Sequence, residues 1–435
     1  MVGLGAVLVY AALQLALVIA HDPWLDEAQA WLVATSLTRP IDFLVLPSEG
    51  HPPLWHWLLR TLSLFFDYGQ ARYLSTVFAV INAVLLWRLL RATPLMLIMM
   101  LGSFAVLQSW GYHFRPYSIV FALLLSALLL DRNGRRQAAT WCLAVACGFH
   151  FFSGILFSLW LVWQWHSGTP IRRLVAPSIL AALFGASAVL SGLGNTTAGT
   201  TNPDILSAIV ANLGWIGMAP NLRNGVTAAI TLALLVFGLR SRPTLLATVL
   251  VLLVVFATGT ALVYGRFPWH FAFMTMLCFT ALAVAGLDRP RQWVLACLLL
   301  PQVAFSIPAI IQRAQNPDWA YPDLYQTILA DAGAGFRPDR DLVAWPDMAG
   351  VSMAAVNDIQ LINGNIGTVL GPVDWRQHHP EAFAPILRTK QSPYWLVCAG
   401  CEPVLDHLSQ NGRTATLLAT KFNVDNGRFD AYRID

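Results

Sequence analysis

Long apolar runs separated by short polar stretches dominate the first 312 residues of the chain. A membrane-spanning helix needs about 20 consecutive, mostly apolar residues, and most of these runs are close to that length. We therefore predict a mainly α, polytopic membrane protein with about eleven transmembrane helices. The predicted spans are 2–20, 72–91, 94–110, 116–131, 138–149, 151–166, 172–192, 224–240, 243–263, 268–287 and 291–311. The short runs 138–149 and 151–166 could instead form one long bent helix.

The composition separates two parts of the chain. Hydrophobic residues make up 57% of the 435 residues and charged residues 11%, against roughly 45–50% and 25% in soluble proteins. So few charges exclude a soluble enzyme, a disordered chain and a nucleic-acid binder. Residues 1–312 carry 17 Arg and nine acidic residues, whereas residues 313–435 carry ten basic and 14 acidic residues. This contrast predicts a membrane domain over 1–312 and a soluble domain over 313–435.

The positions of arginine predict the orientation, because basic residues concentrate in cytoplasmic loops. With a cytoplasmic N-terminus, the inner loops carry 11 Arg and the outer loops of the membrane part carry six. This alternation favours two spans within 138–166. It also places the residues after 312 outside the membrane, in a periplasm-like space. We expect an integral protein of a bacterial inner membrane, surrounded by membrane lipids.

The predicted outer segments differ in character. The first outer loop, 21–71, is long, aromatic and acidic. Within it, 26–37 and 53–66 have the patterns of short helices with Trp at headgroup level, as expected for helices that lie in the membrane interface. The segment 193–223 is rich in Gly, Thr, Asn and Pro, which predicts an outer loop with little regular structure.

The C-terminal part alternates strand and helix patterns, which predicts a small extracytoplasmic α/β domain. Buried strands are predicted at 341–345 and 394–398, a helix at 402–410, and later strands at 414–421 and 428–434. Cys398 and Cys401 form a C-x-x-C pair. They either close a disulfide outside the cytoplasm or remain two thiols.

Acidic residues that are candidates for catalysis or cation binding follow the first predicted span. Asp26 or Glu27 could act as a general base toward a hydroxyl or hold a divalent cation, or the pair could simply mark a helix N-terminus. Neighbouring residues point in different directions on a helix, so at most one of the two faces a given ligand. His51 precedes Pro52 and Pro53, which rigidify the start of a helix. It could bind a phosphate or an acceptor, or cap the helix.

Basic residues that are candidates for phosphate binding lie at the predicted outer ends of later spans. Arg115 is in the segment 112–117 (YHFRPY) and Arg266 in the segment 264–270 (YGRFPWH). Arginine suits phosphate because it is always charged and has a forked set of donors. The alternatives are Arg side chains that snorkel to headgroups and ordinary interfacial aromatics. His150 joins the two short spans and could equally be a packing residue.

These residues converge on one side of the predicted membrane. A base beside phosphate-binding cations suggests group transfer from a lipid phosphate. A transporter or flippase of a lipid-linked substrate is the alternative, although transporters place polar groups near the bilayer midplane, often in inverted repeats. The predicted spans carry almost no charge at mid-span and no visible repeat, which argues against transport. A non-enzymatic scaffold would leave the clusters unexplained.

The motifs occur in a characteristic order. After the first span come Asp26-Glu27 in a long outer loop, His51-Pro52-Pro53-Leu54 before an apolar helix, Arg115-Pro116-Tyr117, and Gly148-Phe149-His150 between short spans. This order resembles that of the GT-C membrane glycosyltransferases, within them the branch of protein O-mannosyltransferases and aminoarabinose transferases. The resemblance covers roughly residues 1–290.

The resemblance implies an inverting glycosyltransferase with a GT-C-like architecture. It would move a sugar from a polyprenyl-phosphate donor to a hydroxyl of a lipid, glycan or protein on the extracytoplasmic face. By analogy, Asp26 takes the acceptor proton and Glu27 orients Asp26 or the acceptor. The implied donor-phosphate ligands are Arg115, Arg266, Tyr117 and His270, and the implied substrate-positioning residues are His51, Tyr112, His113, Tyr264 and His150.

A monophosphate leaving group requires no metal or other cofactor, although a divalent cation at Asp26 or Glu27 stays open. The base and the phosphate clamp must both reach one phosphosugar unit. We therefore expect Asp26 within about 10 Å of Arg115 or Arg266.

Overall fold

The structure is a computed structural model. It describes residues 2–46, 49–195, 205–214, 225–264, 268–315, 321–375, 379–422 and 427–435. Side chains within these ranges are described except those of 263–264, 268–269, 314–315 and 321–323.

The fold is mainly α, and each of the eleven predicted spans contains a helix. These helices are Val2–Ala20, Leu74–Leu90, Pro94–Gly102 with Ala105–Tyr112, Tyr117–Arg132, Arg136–Phe149, Ser153–His166, Ile171–Gly192, Gly225–Leu239, Pro243–Gly259 with Thr260–Tyr264, Pro268–Ala285 and Arg289–Gln315. Arg136–Phe149 and Ser153–His166 are separate helices that pack against each other, as the arginine alternation favours.

Within the described residues, five helical stretches are long and apolar enough to cross a bilayer. They are Val2–Ala20, Tyr68–Leu90, Ile171–Gly192, Pro243–Leu262 and Arg289–Arg313. Away from their ends they expose large apolar side chains, as lipid contact requires; Val9, Val189 and Val251 are examples. The molecule is therefore an integral membrane protein.

The predicted span 94–110 is not straight. Its two helices meet at a bend of 54° at Gly102-Ser103, and such small-residue pairs are a common cause of kinks. Backbone groups freed inside a membrane need new partners. Gln14 donates to the carbonyl of Leu107 at 2.9 Å, and the Gln302 side chain accepts from the amide of Ala105 at 3.3 Å.

The outer loops hold further short elements. They are the helices Leu25–Ser36, Leu54–Leu62 and Tyr68–Ala71 and the 3₁₀ turn Pro40–Phe43. The predicted helix 53–66 ends early, at Leu62, because Asp67 caps a new helix by accepting from the Gln70 amide at 2.7 Å. The prediction of an irregular 193–223 loop is wrong in part. Helix Ile205–Gly214 lies there, and its Asn212 donates to the carbonyl of Ala257 at 3.1 Å.

The C-terminal part contains a five-stranded mixed sheet. Its strands are β1 (Leu342–Trp345), β2 (Ile362–Asn363), β3 (Tyr394–Ala399), β4 (Ala415–Phe422) and β5 (Arg428–Ile434). The order is β2-β1-β3-β5-β4, with β1 parallel to β2 and β3, and β5 antiparallel to β3 and β4. The helices of this part are Tyr321–Ala332, Pro338–Asp341, Met348–Asn357, Ile386–Thr389 and Glu402–Gln410. Cys398 and Cys401 form a disulfide.

The C-terminal part packs on the first outer loop. Helix Met348–Asn357 lies against helix Leu25–Ser36, and Trp31 shares a hydrophobic core with Val351. Gln29 makes two hydrogen bonds to the backbone of Val373: its amide donates to the carbonyl at 3.0 Å, and its oxygen accepts from the N–H at 2.9 Å. The division at residue 312 stays a prediction, because this core includes residues from both sides of it.

Candidate active site

Asp26 and Glu27 occupy the first turn of helix Leu25–Ser36 and face different surroundings. Successive side chains on a helix are about 100° apart. The Glu27 side chain is fully buried, whereas 39% of the Asp26 side chain is exposed. Each carboxylate belongs to its own group of polar residues. We call the first the anchor cluster, formed by His21, Glu27, Tyr68, His113 and the backbone of Phe114. We call the second the transfer cluster, formed by Asp26, Glu49, His51, Arg115, Tyr117, His150 and His270.

In the anchor cluster, four donors surround the Glu27 carboxylate. His21 Nε2 lies at 2.8 Å and the Tyr68 hydroxyl at 3.3 Å from one oxygen. The amide of Phe114 donates to the other oxygen at 2.8 Å, and His113 Nδ1 lies 3.3 Å from it. Burial alone would raise the pKa of Glu27, but His21 and His113 lower it below its usual range. Glu27 is therefore an ionised acceptor that ties three outer segments together.

The anchor cluster also has the donor set of a cation site. His21, Glu27 and His113 offer two imidazoles and a carboxylate whose ligand atoms lie within 4.8 Å of one another, a combination that binds divalent metals. The hydrogen bonds already fill the lone pairs of the carboxylate. Tyr112 belongs to this side as well, since its ring stacks on His113 at a centroid distance of 4.4 Å.

In the transfer cluster, Arg115 links Asp26 to His51. Its Nη1 donates to the backbone carbonyl of Asp26 at 2.7 Å, and its Nη2 lies 4.0 Å from the Asp26 carboxylate and 3.4 Å from His51 Nε2. The separation of Asp26 and Arg115 is thus well inside the reach of about 10 Å that one phosphosugar unit sets. The guanidinium is almost completely buried.

Three buried donors of the transfer cluster have no hydrogen-bond partner in the described part of the chain: Arg115 Nε, the Tyr117 hydroxyl and His150 Nε2. The Tyr117 hydroxyl faces Arg115 without a hydrogen bond of normal geometry. His150 Nδ1 accepts from the Phe152 amide at 3.2 Å, so the neutral ring carries its proton on Nε2. Unpaired buried donors are costly, roughly 1–3 kcal/mol each. Their grouping indicates a ligand rich in acceptor oxygens.

Ring contacts hold these groups together. The guanidinium carbon of Arg115 is 6.0 Å from the centre of the Tyr117 ring, which is 5.2 Å from that of His150. The centre of the His150 ring is 5.5 Å from that of His51 and 6.2 Å from that of His270. Three histidines from different segments therefore lie close together: His51 from a loop, His150 between two helices and His270 near the start of a later helix.

Two sequence candidates cannot be located here. Arg266 lies outside the described residues. Tyr264 ends the short helix Thr260–Tyr264, but its side chain is not among those described.

The electrostatics of Asp26 suit a base. Burial among the neighbouring groups raises the pKa of its carboxyl, and Arg115 opposes this rise. The exposed part of the side chain limits the effect, because water screens charge. A carboxyl group with a raised pKa that is still open to an incoming hydroxyl is the arrangement that general-base catalysis needs, because a base works best when its pKa lies near the operating pH.

Sequence reasoning missed three partners of the site. Glu49 was not assigned a role, yet its carboxylate lies 3.0 Å from His51 Nδ1; an acid two residues before a histidine was the available signal. His56 is buried, and desolvation lowers its pKa to about 4, so it is neutral. Neither of its ring nitrogens has a hydrogen-bond partner among the described residues. The pairing of His21 with Glu27 had no clear signal.

Comparison with known proteins identifies the fold. No protein-family model matches the sequence, and no curated relative matches it. The structure is similar to the crystal structure of ArnT from Cupriavidus metallidurans bound to undecaprenyl phosphate. The TM-score is 0.58 at 12% sequence identity, and the match covers 99% of this chain and 98% of that one. The chain therefore shares the fold of ArnT over 99% of its length, which confirms the predicted polytopic, GT-C-like architecture.

Proposed function

We propose that this chain, which has the fold of GT-C membrane glycosyltransferases, is an inverting glycosyltransferase. It moves a sugar from a polyprenyl-phosphate donor to a hydroxyl of a lipid, glycan or protein acceptor on the extracytoplasmic face. The observation that carries the proposal is the group of three unpaired buried donors beside Asp26. The fold it shares with a protein bound to undecaprenyl phosphate supports a lipid phosphate as their ligand.

In the proposed reaction, the Asp26 carboxylate removes the proton of the acceptor hydroxyl. The oxygen forms a bond to the anomeric carbon of the sugar while the bond from that carbon to the phosphate oxygen breaks. The electron pair leaves with the lipid phosphate, whose growing charge Arg115, Tyr117 and His150 stabilise. A single displacement of this kind inverts the anomeric configuration.

Glu27 has a different role in this proposal from the one the resemblance implies. Its four hydrogen bonds leave no lone pair for an acceptor. It instead fixes the turn from which Asp26 projects. The reaction needs no metal, and a divalent cation in the anchor cluster would act on the fold of the loop.

The proposed location is a bacterial inner membrane, with a cytoplasmic N-terminus and an extracytoplasmic C-terminal domain. The arginine distribution supports this orientation. The disulfide of Cys398 and Cys401 supports it independently, because disulfides persist mainly in oxidising compartments.

Sugar transfer by the purified protein tests the proposal. Polyprenyl-phosphate sugars would be incubated with a membrane lipid extract, a glycan fraction and a protein fraction, for wild type and for Asp26→Asn. We expect a product with wild type that Asp26→Asn reduces at least a thousandfold. Asp42→Asn is the matched control, since Asp42 is a buried acid of the same loop paired with Arg39 at 2.8 Å.

Activity that survives Asp26→Asn in folded protein would remove Asp26 from the mechanism. Movement of the intact lipid-linked sugar across reconstituted vesicles, without any transfer product, would replace the transferase by the transport alternative.

A further inference from the structure

We propose that Glu49 is a positioning residue that fixes the tautomer of His51 and, through it, the orientation of the Arg115 guanidinium. This inference rests on the proposed function, because it assigns Arg115 to the donor phosphate. Glu49 touches neither donor nor acceptor in this scheme.

The two neighbours of His51 dictate the same protonation pattern. Burial would raise the pKa of Glu49, but the hydrogen bond from His51 lowers it. Glu49 is therefore a carboxylate and can only accept, so His51 Nδ1 carries a proton. A guanidinium can only donate, so Nε2, at 3.4 Å from Arg115 Nη2, is the unprotonated nitrogen. These contacts place the proton of His51 on Nδ1 and leave Nε2 as the acceptor for Arg115.

The backbone around Glu49 is held on both sides. Before it, the Leu46 amide donates to the Ser191 hydroxyl at 2.8 Å. Gly50 packs closely against the end of helix Ile171–Gly192. A Cβ added to Gly192 would lie only 3.3 Å from the Cα of Gly50. After it, Pro52 and Pro53 restrict the backbone that leads into helix Leu54–Leu62. The carboxylate and the ring therefore meet in a fixed geometry.

This chain of contacts fixes the direction in which Arg115 presents its Nε–H. Nη1 donates one N–H to the backbone carbonyl of Asp26 and Nη2 donates one to His51, whereas Nε has no partner among the described residues. The fork of donors is planar and rigid, so fixing the two Nη groups also fixes the direction of Nε. If His51 carried its proton on Nε2 instead, this N–H would face an N–H of Arg115. Two donors repel each other, so the guanidinium would turn away.

The tautomer is measured directly by nitrogen NMR of isotope-labelled histidine in lipid nanodiscs. The His51 signal is assigned by its loss in His51→Gln. We expect the tautomer with the proton on Nδ1 in wild type and in Asp42→Asn. In Glu49→Gln, whose amide can donate as well as accept, we expect a mixed population. An unchanged pattern in folded Glu49→Gln would overturn the proposal, whatever the protein catalyses.

The second measurement is binding of undecaprenyl phosphate in vesicles. We expect Glu49→Gln to weaken binding about tenfold, Glu49→Asp to restore part of the affinity, and Asp42→Asn to have no effect. A purely structural role would lower the melting temperature of Glu49→Gln and leave binding by the folded fraction intact, which would also overturn the inference. If wild type binds no lipid phosphate while the tautomer still responds to Glu49, the proposed function fails and the control of His51 by Glu49 stands.

Discussion

Tyr117 presents a buried hydroxyl to the ligand site without a partner of its own. Tyr117→Phe removes this donor and leaves the ring. A hydrogen bond to a charged group contributes roughly 1.5–3 kcal/mol, so we expect kcat/KM for the polyprenyl-phosphate sugar to fall about 10- to 100-fold. Tyr10→Phe is the control, because the Tyr10 hydroxyl donates to the Val106 carbonyl at 3.1 Å inside the membrane part. It should leave kcat/KM unchanged, and an equal effect of both changes would argue against a ligand at Tyr117.

The raised pKa of Asp26 predicts the pH dependence of transfer. A general base works only when ionised, so the rate falls as the pH falls through its pKa. We expect this acid limb to lie above about pH 3.9, the ordinary value for Asp, because burial shifts it upward. The measurement is kcat/KM against pH in nanodiscs. A rate that stays constant down to pH 4 in folded protein would contradict Asp26 as the base.

The lowered pKa of Glu27 predicts a dependence of stability on pH. A carboxyl whose pKa is lower in the folded than in the unfolded state stabilises the fold fully above the unfolded value, about 4.3. This stabilisation is lost as the pH falls through the lower folded value. Glu27→Gln should therefore destabilise the protein at pH 7 by roughly 2–5 kcal/mol, since it leaves buried donors poorly paired.

Thermal unfolding in detergent measures the effect of Glu27→Gln. Asp131→Asn serves as the comparison, because Asp131 accepts from Gln164 at 3.1 Å at the opposite end of the helices. We expect Asp131→Asn to lower the free energy of unfolding by less than about 1 kcal/mol. Equal melting temperatures for wild type and Glu27→Gln would show that the anchor cluster does not hold the loop.

Residue types alone predicted that acidic and basic side chains lie close together, but not how these side chains divide into two clusters. The sequence places Asp26, Arg115 and His51 on one side of the membrane. The separation of Glu27 into its own cluster depends on His21 and Tyr68, which lie six residues before and 41 residues after it. No local pattern records such a contact.

At the level of elements, Gln29 is the clearest link between helix Leu25–Ser36 and the C-terminal part. Gln29→Leu leaves the buried N–H and carbonyl of Val373 without their partners, which costs roughly 1–3 kcal/mol for each group. We expect faster cleavage of the C-terminal part by added protease and a lower transfer rate. Gln137→Leu is the control, because Gln137 is half-buried and its amide donates to the Arg173 carbonyl at 2.9 Å, far from the C-terminal part. Identical cleavage patterns would show that the core alone holds the two parts together.

The elements themselves were largely predictable. Long apolar runs have one stable solution in a bilayer, and every predicted span contains a helix. The prediction of helix bounds failed where a local feature interrupts or extends the helix that the apolar pattern predicts. Gly102-Ser103 bends one helix, Asp67 ends another by capping its successor, and the apolar stretch of Ile205–Gly214 folds although turn-forming residues surround it. Two of these outcomes also depend on partners from distant segments: Gln302 for the bent helix and the carbonyl of Ala257 for helix Ile205–Gly214.

At the level of the whole molecule, the orientation can be tested with a matched pair of exposed asparagines. Asn411 lies in the C-terminal part and Asn133 in a predicted inner loop. Asn411→Cys and Asn133→Cys would each be introduced into a variant whose free cysteines are replaced by Ser (Cys142, Cys147, Cys278 and Cys297). Spheroplasts would then be treated with a membrane-impermeant maleimide. We expect labelling of the first from outside and of the second only after permeabilisation. The reverse pattern would invert the proposed topology and remove the site from the extracytoplasmic face.

The hydrogen bonds between Gln29 and Val373 join positions 344 residues apart, and this has a consequence for biosynthesis. The loop 21–71 leaves the ribosome early, yet the segment that packs on its helix is made more than 300 residues later. During synthesis the apolar surface of the loop stays uncovered until the final quarter of the chain has been made. Contacts between such distant positions form late in folding. A truncated chain would therefore insert its helices in the membrane and hold Asp26 through the anchor cluster alone, with one face of helix Leu25–Ser36 left uncovered.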